Sequence, residues 1–306
     1  MNLTKEILHK KLLHTIHSEK LRYLLDRGLN LETIKRFKIG YIDKNNKPHN
    51  RTYFDFRIMI PIIDRHGKHV GYSGRTINDI GEKYISPVER KLLGRKRLEP
   101  SKYLNTITYK DFNKGAMLFN ELSIIKGVTK TVILVESQLD VIALEQNRSI
   151  VDEMYTDYAI CGIQGTSLTQ FHINYLLSCG IGEVIVMLDN DKAGVEATKR
   201  ALVLLAKNGL HSIYACFMPK GKDAMDMIRE PRTIRKSLSN RYTFLDFLGH
   251  YYNKYYPTTE YIYGLNRDII EINRIISKDK IYYTERKIKR NFNNHIANGA
   301  TICDIL

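Results

Sequence analysis

Six acidic residues of this chain fall into three short motifs with similar surroundings. Glu136 and Asp140 follow Thr131-Val132-Ile133-Leu134-Val135, an unbroken apolar run of the kind expected of a buried parallel strand. Asp189 and Asp191 follow a second run, Val184-Ile185-Val186-Met187-Leu188, in Leu-Asp-Asn-Asp-Lys-Ala-Gly. Asp223 and Asp226 lie in Gly-Lys-Asp-Ala-Met-Asp, a few residues past a fourth expected strand at 212–217. Singly, each has an ordinary structural explanation as a helix cap, a turn former or an acid in a first helical turn. Together they point elsewhere, because the carboxyl ends of parallel strands lie along one edge of a sheet. Two bare carboxylates about 4 Å apart repel by roughly 4 kcal/mol at an effective dielectric near 20. A cluster of this kind therefore calls for protons or cations. Oxygen donors with open positions suit Mg²⁺, or Mn²⁺ in its place.

The elements that would carry these acids alternate in a regular way. Strands are expected at 131–135, 158–161, 183–188 and 212–217, with helices at 138–146, 169–178 and 193–207 between them. Alternation at this rhythm predicts an α/β unit with a mostly parallel sheet flanked by helices. Before it, apolar spacing predicts one helix over 4–27 and a shorter one over 31–37. Phe56–Ile63 and His69–Arg75, separated by a turn containing Gly67, predict a β-hairpin. The stretch from 78 to 113 is polar and basic, with Arg95-Lys96-Arg97 as a candidate DNA-contacting loop. After 232 the chain reads as helical, basic and Tyr-rich. Three subdomains are expected: a basic α+β subdomain at 1–127, the metal-binding α/β unit at 128–231 and a helical subdomain at 232–306.

Composition narrows the partners. The 306 residues include 48 Lys and Arg against 33 Asp and Glu, a formal charge of +15. That excess favours a polyanion, nucleic acid before an anionic membrane surface. No apolar run is long enough for a membrane span, and the amino terminus lacks an apolar signal core, so a cytoplasmic location and no membrane partner are expected. The four cysteines, Cys161, Cys179, Cys216 and Cys303, form no Cys-x-x-Cys pair, and neither a disulfide framework nor zinc is expected. His9, His14 and His17 share a basic helix without further ligands and read as boundary or solvent-facing residues. No Gly-x-x-x-x-Gly-Lys-Ser/Thr loop occurs, so no fused helicase motor is expected.

At 131–229 the residues resemble a TOPRIM domain, the fold shared by primases, topoisomerases and some nucleases. The family's Glu-Gly-x-x-x-Asp corresponds to Glu136-Ser137-Gln138-Leu139-Asp140, and its Asp-x-Asp to Asp189-Asn190-Asp191 followed by Lys-Ala-Gly. Ser137 stands where the family has glycine, a difference expected to narrow the approach of a phosphate. The third element, Lys-Asp-Ala-Met-Asp, is closer to the form in phage primase–helicases than to the Asp-x-Asp of bacterial primases. It leaves open whether Asp226 joins Asp223 at the metal.

The preceding segment also carries a resemblance, to the amino-terminal half of the DnaG-type primase core. It includes Arg57-Ile58-Met59-Ile60-Pro61, Gly71-Tyr72-Ser73-Gly74-Arg75, Lys102-Tyr103-Leu104-Asn105 and Phe112-Asn113-Lys114-Gly115. The two resemblances imply a phage-like, stand-alone primase core without an amino-terminal zinc module. They imply synthesis of RNA primers on single-stranded DNA from ribonucleoside triphosphates during replication. Glu136, Asp189 and Asp191 would hold the metal ions with Asp223, while Asp140 supports that shell and Glu136 has the alternative role of base. Arg75, Lys102 and Lys114, and less directly Arg57, would line the face that holds template or nucleotide phosphate. A replicative helicase or a separate template-selecting protein is the expected partner. A TOPRIM nuclease and a non-catalytic replisome adaptor are the rival readings.

Overall fold

The structure, a computed structural model, describes residues 5–14, 19–41, 57–77, 103–105, 113–165 and 167–255. The helix expected over 4–27 is two helices, α1 (Lys5–His14) and α2 (Glu19–Asp26), followed by α3 (Leu31–Arg36). Gly28 ends α2 with φ +102°, and a Cβ there would sit 2.5 Å from Ile228 Cγ2. Conformation and space both require glycine at that corner. Asn30 then caps α3, its side-chain oxygen accepting the Thr33 N–H at 2.7 Å.

Four antiparallel strands form a first sheet in chain order: β1 (Gly40–Tyr41), β2 (Ile58–Ile63), β3 (His69–Arg75) and β4 (Tyr103–Asn105). The expected hairpin is β2–β3. Its turn is closed by Asp64 Oδ1, which accepts the N–H groups of His66 and Lys68 at 2.9 and 2.8 Å.

The second sheet has five strands in the order β6-β5-β7-β8-β9. They are β5 (Thr131–Val135), β6 (Tyr158–Gly162), β7 (Glu183–Met187), β8 (Ser212–Ala215) and β9 (Tyr242–Thr243). The first four pair in parallel, and β9 joins the edge antiparallel to β8. The intervening helices are α4 (Gln138–Gln146), α5 (Arg148–Asp152), α6 (Gln170–Cys179) and α7 (Lys192–Lys207); α8 (Pro231–Ser239) and α9 (Phe244–Tyr255) come last. Neither the one-turn α5 nor the two-residue β9 was expected, because elements so short leave no periodicity to read.

The parallel strands alternate between two cores. Val132, Leu134, Val184 and Val186 pack with α6, α7 and, from α9, Phe247, Leu248 and Tyr251. Ile133, Val135, Ile185 and Met187 face the other way, into a cluster containing α4 and the amino-terminal Leu12, Leu24, Leu29 and Ile34. With both faces covered, every residue of the run is apolar, which is why alternation is invisible in the sequence. The same clusters carry the core across the subdomain boundaries drawn from the sequence. Apolar side chains on both sides of 127 share one cluster, and the core extends past 231 through Ile234 and Leu238 into α9.

One buried ion pair ties the two sheets. Glu121, fully buried in the 3₁₀ turn Glu121–Ser123, is gripped by Arg65 from the β2–β3 turn. Arg65 Nε meets Oε1 at 3.2 Å and Nη2 meets Oε2 at 3.1 Å, and the backbone N–H groups of Arg65 and Leu118 also donate to this carboxylate. Burial raises the Glu121 pKa, and Arg65 opposes the rise. A carboxyl raised in the folded state loses stability as pH climbs through its folded pKa. Removing its cation exaggerates that loss. Arg65→Met should therefore cost roughly 2–4 kcal/mol near neutral pH, at the lower side of the range for breaking a buried pair because Arg65 is partly exposed. The deficit should shrink as pH falls from 7.5 towards 5, read from urea-unfolding midpoints. A deficit independent of pH would place the loss in the stacking of Arg65 on Tyr175, 3.8 Å from its ring centroid.

Candidate active site

From β5 the chain crosses to β6 on one side, and from β7 it crosses to β8 on the other. The strand order thus reverses between β5 and β7, the position outside the carboxyl ends where open parallel α/β sheets generally bind their ligands. Val135 and Met187 are register partners at the ends of these two strands. Glu136 is the next residue after β5, and Asp189 comes two residues after β7. The first two acidic motifs therefore reach adjacent strand ends at the reversal point.

Local chemistry shapes each turn. Ser137 adopts an extended φ of −115°, so its position makes no demand for glycine. Instead it caps α4 in a reciprocal box with Asp140. The serine hydroxyl donates to Asp140 Oδ2 at 2.6 Å, and the Ser137 N–H donates to the same oxygen at 3.1 Å. The departure from the family pattern at 137 thus supplies a cap. Asp191 likewise caps α7, with Oδ1 accepting the Gly194 N–H at 2.7 Å. A Cβ on Gly194 would overlap the Asp189 carbonyl oxygen, which explains the glycine of Lys-Ala-Gly. Asn190 Nδ2 donates to the Met218 carbonyl at 2.8 Å and ties this loop to the chain beyond β8.

Asp140 is a strongly perturbed acid. It is 3% exposed, and Oδ1 accepts the Met225 N–H at 3.3 Å. Its pKa is pushed up to about 7, first by burial and then by the negative charge of Asp223, with a smaller push from Asp189 and opposition from the Ser137 hydrogen bonds. Asp140, Asp189 and Asp223 therefore share one electrostatic neighbourhood. Among the described residues, no three His, Cys, Asp or Glu side chains stand close enough to hold a metal ion by themselves.

A cationic network faces this edge. Asp223 and Asp226 cap each other's N–H groups at 2.6 and 3.3 Å, and both face Arg27, whose Nη2 is 2.9 Å from Asp226 Oδ1 and 3.8 Å from Asp223 Oδ1. The Tyr23 hydroxyl accepts from Arg27 Nη1 at 3.4 Å and from Arg75 Nε and Nη2 at 3.3 and 3.2 Å. Burial and the neighbouring Arg75 charge lower the Arg27 pKa, but Tyr23 and Asp223 outweigh them and leave it raised. Arg27 and Tyr23 were not anticipated. Their partners lie far away in sequence, and the only local signal is a basic residue immediately before the obligatory Gly28.

The expected basic residues separate in kind. Arg75 ends β3 and is nearly buried within this network. Lys114 is exposed on the segment before Glu121. Arg57 is 3% exposed, and its Nη1 donates to the Gly74 carbonyl at 3.1 Å, so it braces the hairpin from inside instead of presenting its charge on the surface. Lys102 lies outside the described residues, as do Arg95, Lys96 and Arg97.

Comparison with known proteins agrees with this architecture. Residues 42–124 match the model for the N-terminal domain of the DNA primase catalytic core, and residues 133–228 match a Toprim-like model. A DNA primase of Staphylococcus epidermidis is 30% identical over 261 residues, covering 74% of this chain and 38% of that protein. One from Enterococcus faecalis is 29% identical over 316 residues, covering 90% of this chain and 46% of that protein. The chain spans less than half the length of these relatives. Among solved structures, the RNA polymerase domain of Mycobacterium tuberculosis primase DnaG superposes with a TM-score of 0.73 at 16% identity, over 93% of this chain and 95% of that one. Sequence motifs, family models and fold agree, and the chain belongs to the DnaG-type primase family, carrying both the N-terminal and the Toprim-like parts of its catalytic core.

Proposed function

We propose that this chain is a primase catalytic core that makes short RNA primers on single-stranded DNA during replication. The observation that carries this reading is the placing of Glu136 and Asp189 at the strand-order reversal, with the Arg27–Tyr23–Arg75 network across from Asp223. The DNA primases among its relatives support it, as does the likeness to a DnaG primase catalytic domain bound to single-stranded DNA, with a TM-score of 0.67 at 22% identity over 94% of this chain and 95% of that one.

In the proposed reaction the 3′-hydroxyl of the growing RNA attacks the α-phosphorus of a ribonucleoside triphosphate. The new phosphodiester forms as the bond from the α-phosphorus to the bridging oxygen breaks, and pyrophosphate leaves. Positioning and electrostatic stabilisation supply the catalysis, as in phosphoryl transfer generally. Glu136, Asp189 and Asp191, with Asp223 beside them, are proposed to hold Mg²⁺ or Mn²⁺. Bound there, such an ion lowers the hydroxyl's proton affinity and neutralises phosphate charge. The donor set fits: it offers oxygens alone, and the negative charges of Asp223 and Asp189, which add to the effect of burial on Asp140, are ones a cation would relieve. Mg²⁺ needs only one or two carboxylates, taking its remaining oxygens from water and phosphate.

Asp140 orients the acidic turn through its cap on Ser137. Arg75, Lys114 and Lys102, joined by Arg27, are assigned to phosphates of template or nucleotide. Such contacts position a strand without reading its bases. A replicative helicase or a template-selecting protein is the proposed partner, in the cytoplasm. Among the described residues, no helix is long and apolar enough to cross a membrane.

Full-length protein incubated with single-stranded DNA, ribonucleotides and Mg²⁺ or Mn²⁺ should yield short RNA, and Asp189→Ala should reduce the yield by roughly 10²–10³-fold. Metal-dependent cutting of DNA with no RNA on any template, with or without added helicase, would instead identify a nuclease. DNA binding with neither reaction would identify an adaptor. Gly194→Ala probes the same geometry, because its methyl must displace the Asp189 main chain. Priming should fall by about 10²-fold, as expected for a misplacement near 1 Å, while single-stranded DNA affinity at fixed salt stays within a factor of two. Unchanged priming would show that catalysis does not depend on where Asp189 is held.

A further inference from the structure

Residues 113–117 belong to no helix or strand, yet each carbonyl from 114 to 117 is held by a side chain from another part of the fold. His172 Nε2 lies 3.1 Å from the Lys114 carbonyl. The Thr169 hydroxyl donates to the Gly115 carbonyl. Arg65 Nη2 donates to the Ala116 carbonyl at 3.3 Å and Gln164 Nε2 to that of Met117 at 2.9 Å. From inside, Asn113 closes the turn, its carbonyl accepting the Ala116 N–H and its Oδ1 the Gly115 N–H, both at 2.9 Å. Loop carbonyls ordinarily turn to water, so four successive side-chain partners mark a segment whose place is specified.

The donors are themselves fixed. His172 is 1% exposed, and its Nδ1 lies 3.2 Å from the Thr169 N–H. A backbone N–H can only donate, so Nδ1 accepts and the ring hydrogen sits on Nε2, directed at the Lys114 carbonyl. Burial lowers the His172 pKa, consistent with this neutral form. Gln164 has its backbone in the left-handed region, φ +57°, a conformation few non-glycine residues adopt without reason. Its Oε1 accepts from Gln138 Nε2 at 3.3 Å. Gln138 lies between Glu136 and Asp140, so the donor chain runs from the acidic turn to the loop that carries Lys114.

We propose that His172, Thr169, Arg65 and Gln164 form a carbonyl clamp that fixes the main chain beneath Lys114 relative to the acidic edge, with His172 a positioning residue for that cation. The proposal rests on the primase reading in one respect, that the Lys114 ammonium meets a nucleotide or template phosphate. A lysine on a held backbone sweeps a smaller volume than one on a free loop, which raises its effective concentration at one point.

The full-length protein tests this with two readouts. Trypsin cleaves after lysine, so cutting of the Lys114–Gly115 bond, followed by mass spectrometry under native conditions, reports release of the clamp. His172→Phe keeps a ring but loses both nitrogen contacts, and should be cut there roughly three- to tenfold faster than the parent, the factor expected for losing a hydrogen bond. His172→Gln retains an N–H donor and should stay close to the parent. Thr169→Val, which removes the bond to Gly115, should also speed cutting and carries the test if His172→Phe does not fold. In priming, His172→Phe should raise KM for ribonucleotide in the direction of Lys114→Ala with a smaller change in kcat, and His172→Gln should restore it. Unchanged cutting at Lys114 in the folded variants would overturn the clamp. Faster cutting with KM unmoved would overturn the positioning role. If the protein makes no RNA at all, the primase reading falls, and the cleavage rates alone decide the clamp.

Discussion

Negative charges gathered on one sheet edge have to be neutralised, hydrogen-bonded or buried at a cost, and much of the local structure around β5 and β7 answers that requirement. Asp140 accepts two hydrogen bonds from Ser137 and one from the Met225 N–H, and still has its pKa pushed up to about 7 by burial and its acidic neighbours. Asp191 turns one oxygen onto the first turn of α7. Asp223 and Asp226 cap one another and share Arg27. These arrangements tie the motifs in place by local hydrogen bonds and, at Asp223 and Asp226, by the Arg27 guanidinium. The amino-terminal helices contribute to this balance, since Arg27 and Tyr23 belong to α2 and the residue after it. A site that looks confined to the Toprim-like part is therefore completed from the opposite end of the chain.

The parts of this arrangement legible in the sequence are those set by neighbours in the chain. Apolar runs followed at once by acids place Glu136 and Asp189 at strand ends, and the hairpin follows from alternation around Asp64–Lys68. What escapes is set by distant contacts. Nothing near Arg27 announces Asp226, and nothing near Arg57 distinguishes a cation buried in a hairpin from one on its face. Ser137 has a role that its departure from the family glycine does not announce: the backbone there is extended, and the hydroxyl serves as a cap. The edge strand β9 is too short to leave a pattern, and its two residues are exposed. Composition changes along the chain at the expected subdomain boundaries, while the core clusters run continuously across them.

That shared core has a consequence for how the molecule comes into being. Leu12, Leu24, Leu29 and Ile34 find their packing partners among residues such as Leu139, Ile142, Met225 and Ile228. On a ribosome the first helices emerge long before those partners. At synthesis rates of about 5–20 residues per second, a gap of roughly 200 residues is a wait of about 10–40 seconds. During that interval the faces that meet those partners stay uncovered, although Ile39, Ile58 and Ile60 of the same cluster arrive much sooner. Contacts so distant in sequence also slow folding, because the loop they close must be ordered before any burial rewards it. Closure of this cluster therefore waits on its later members, and the corner at Gly28 takes its final shape only when the loop carrying Ile228 arrives.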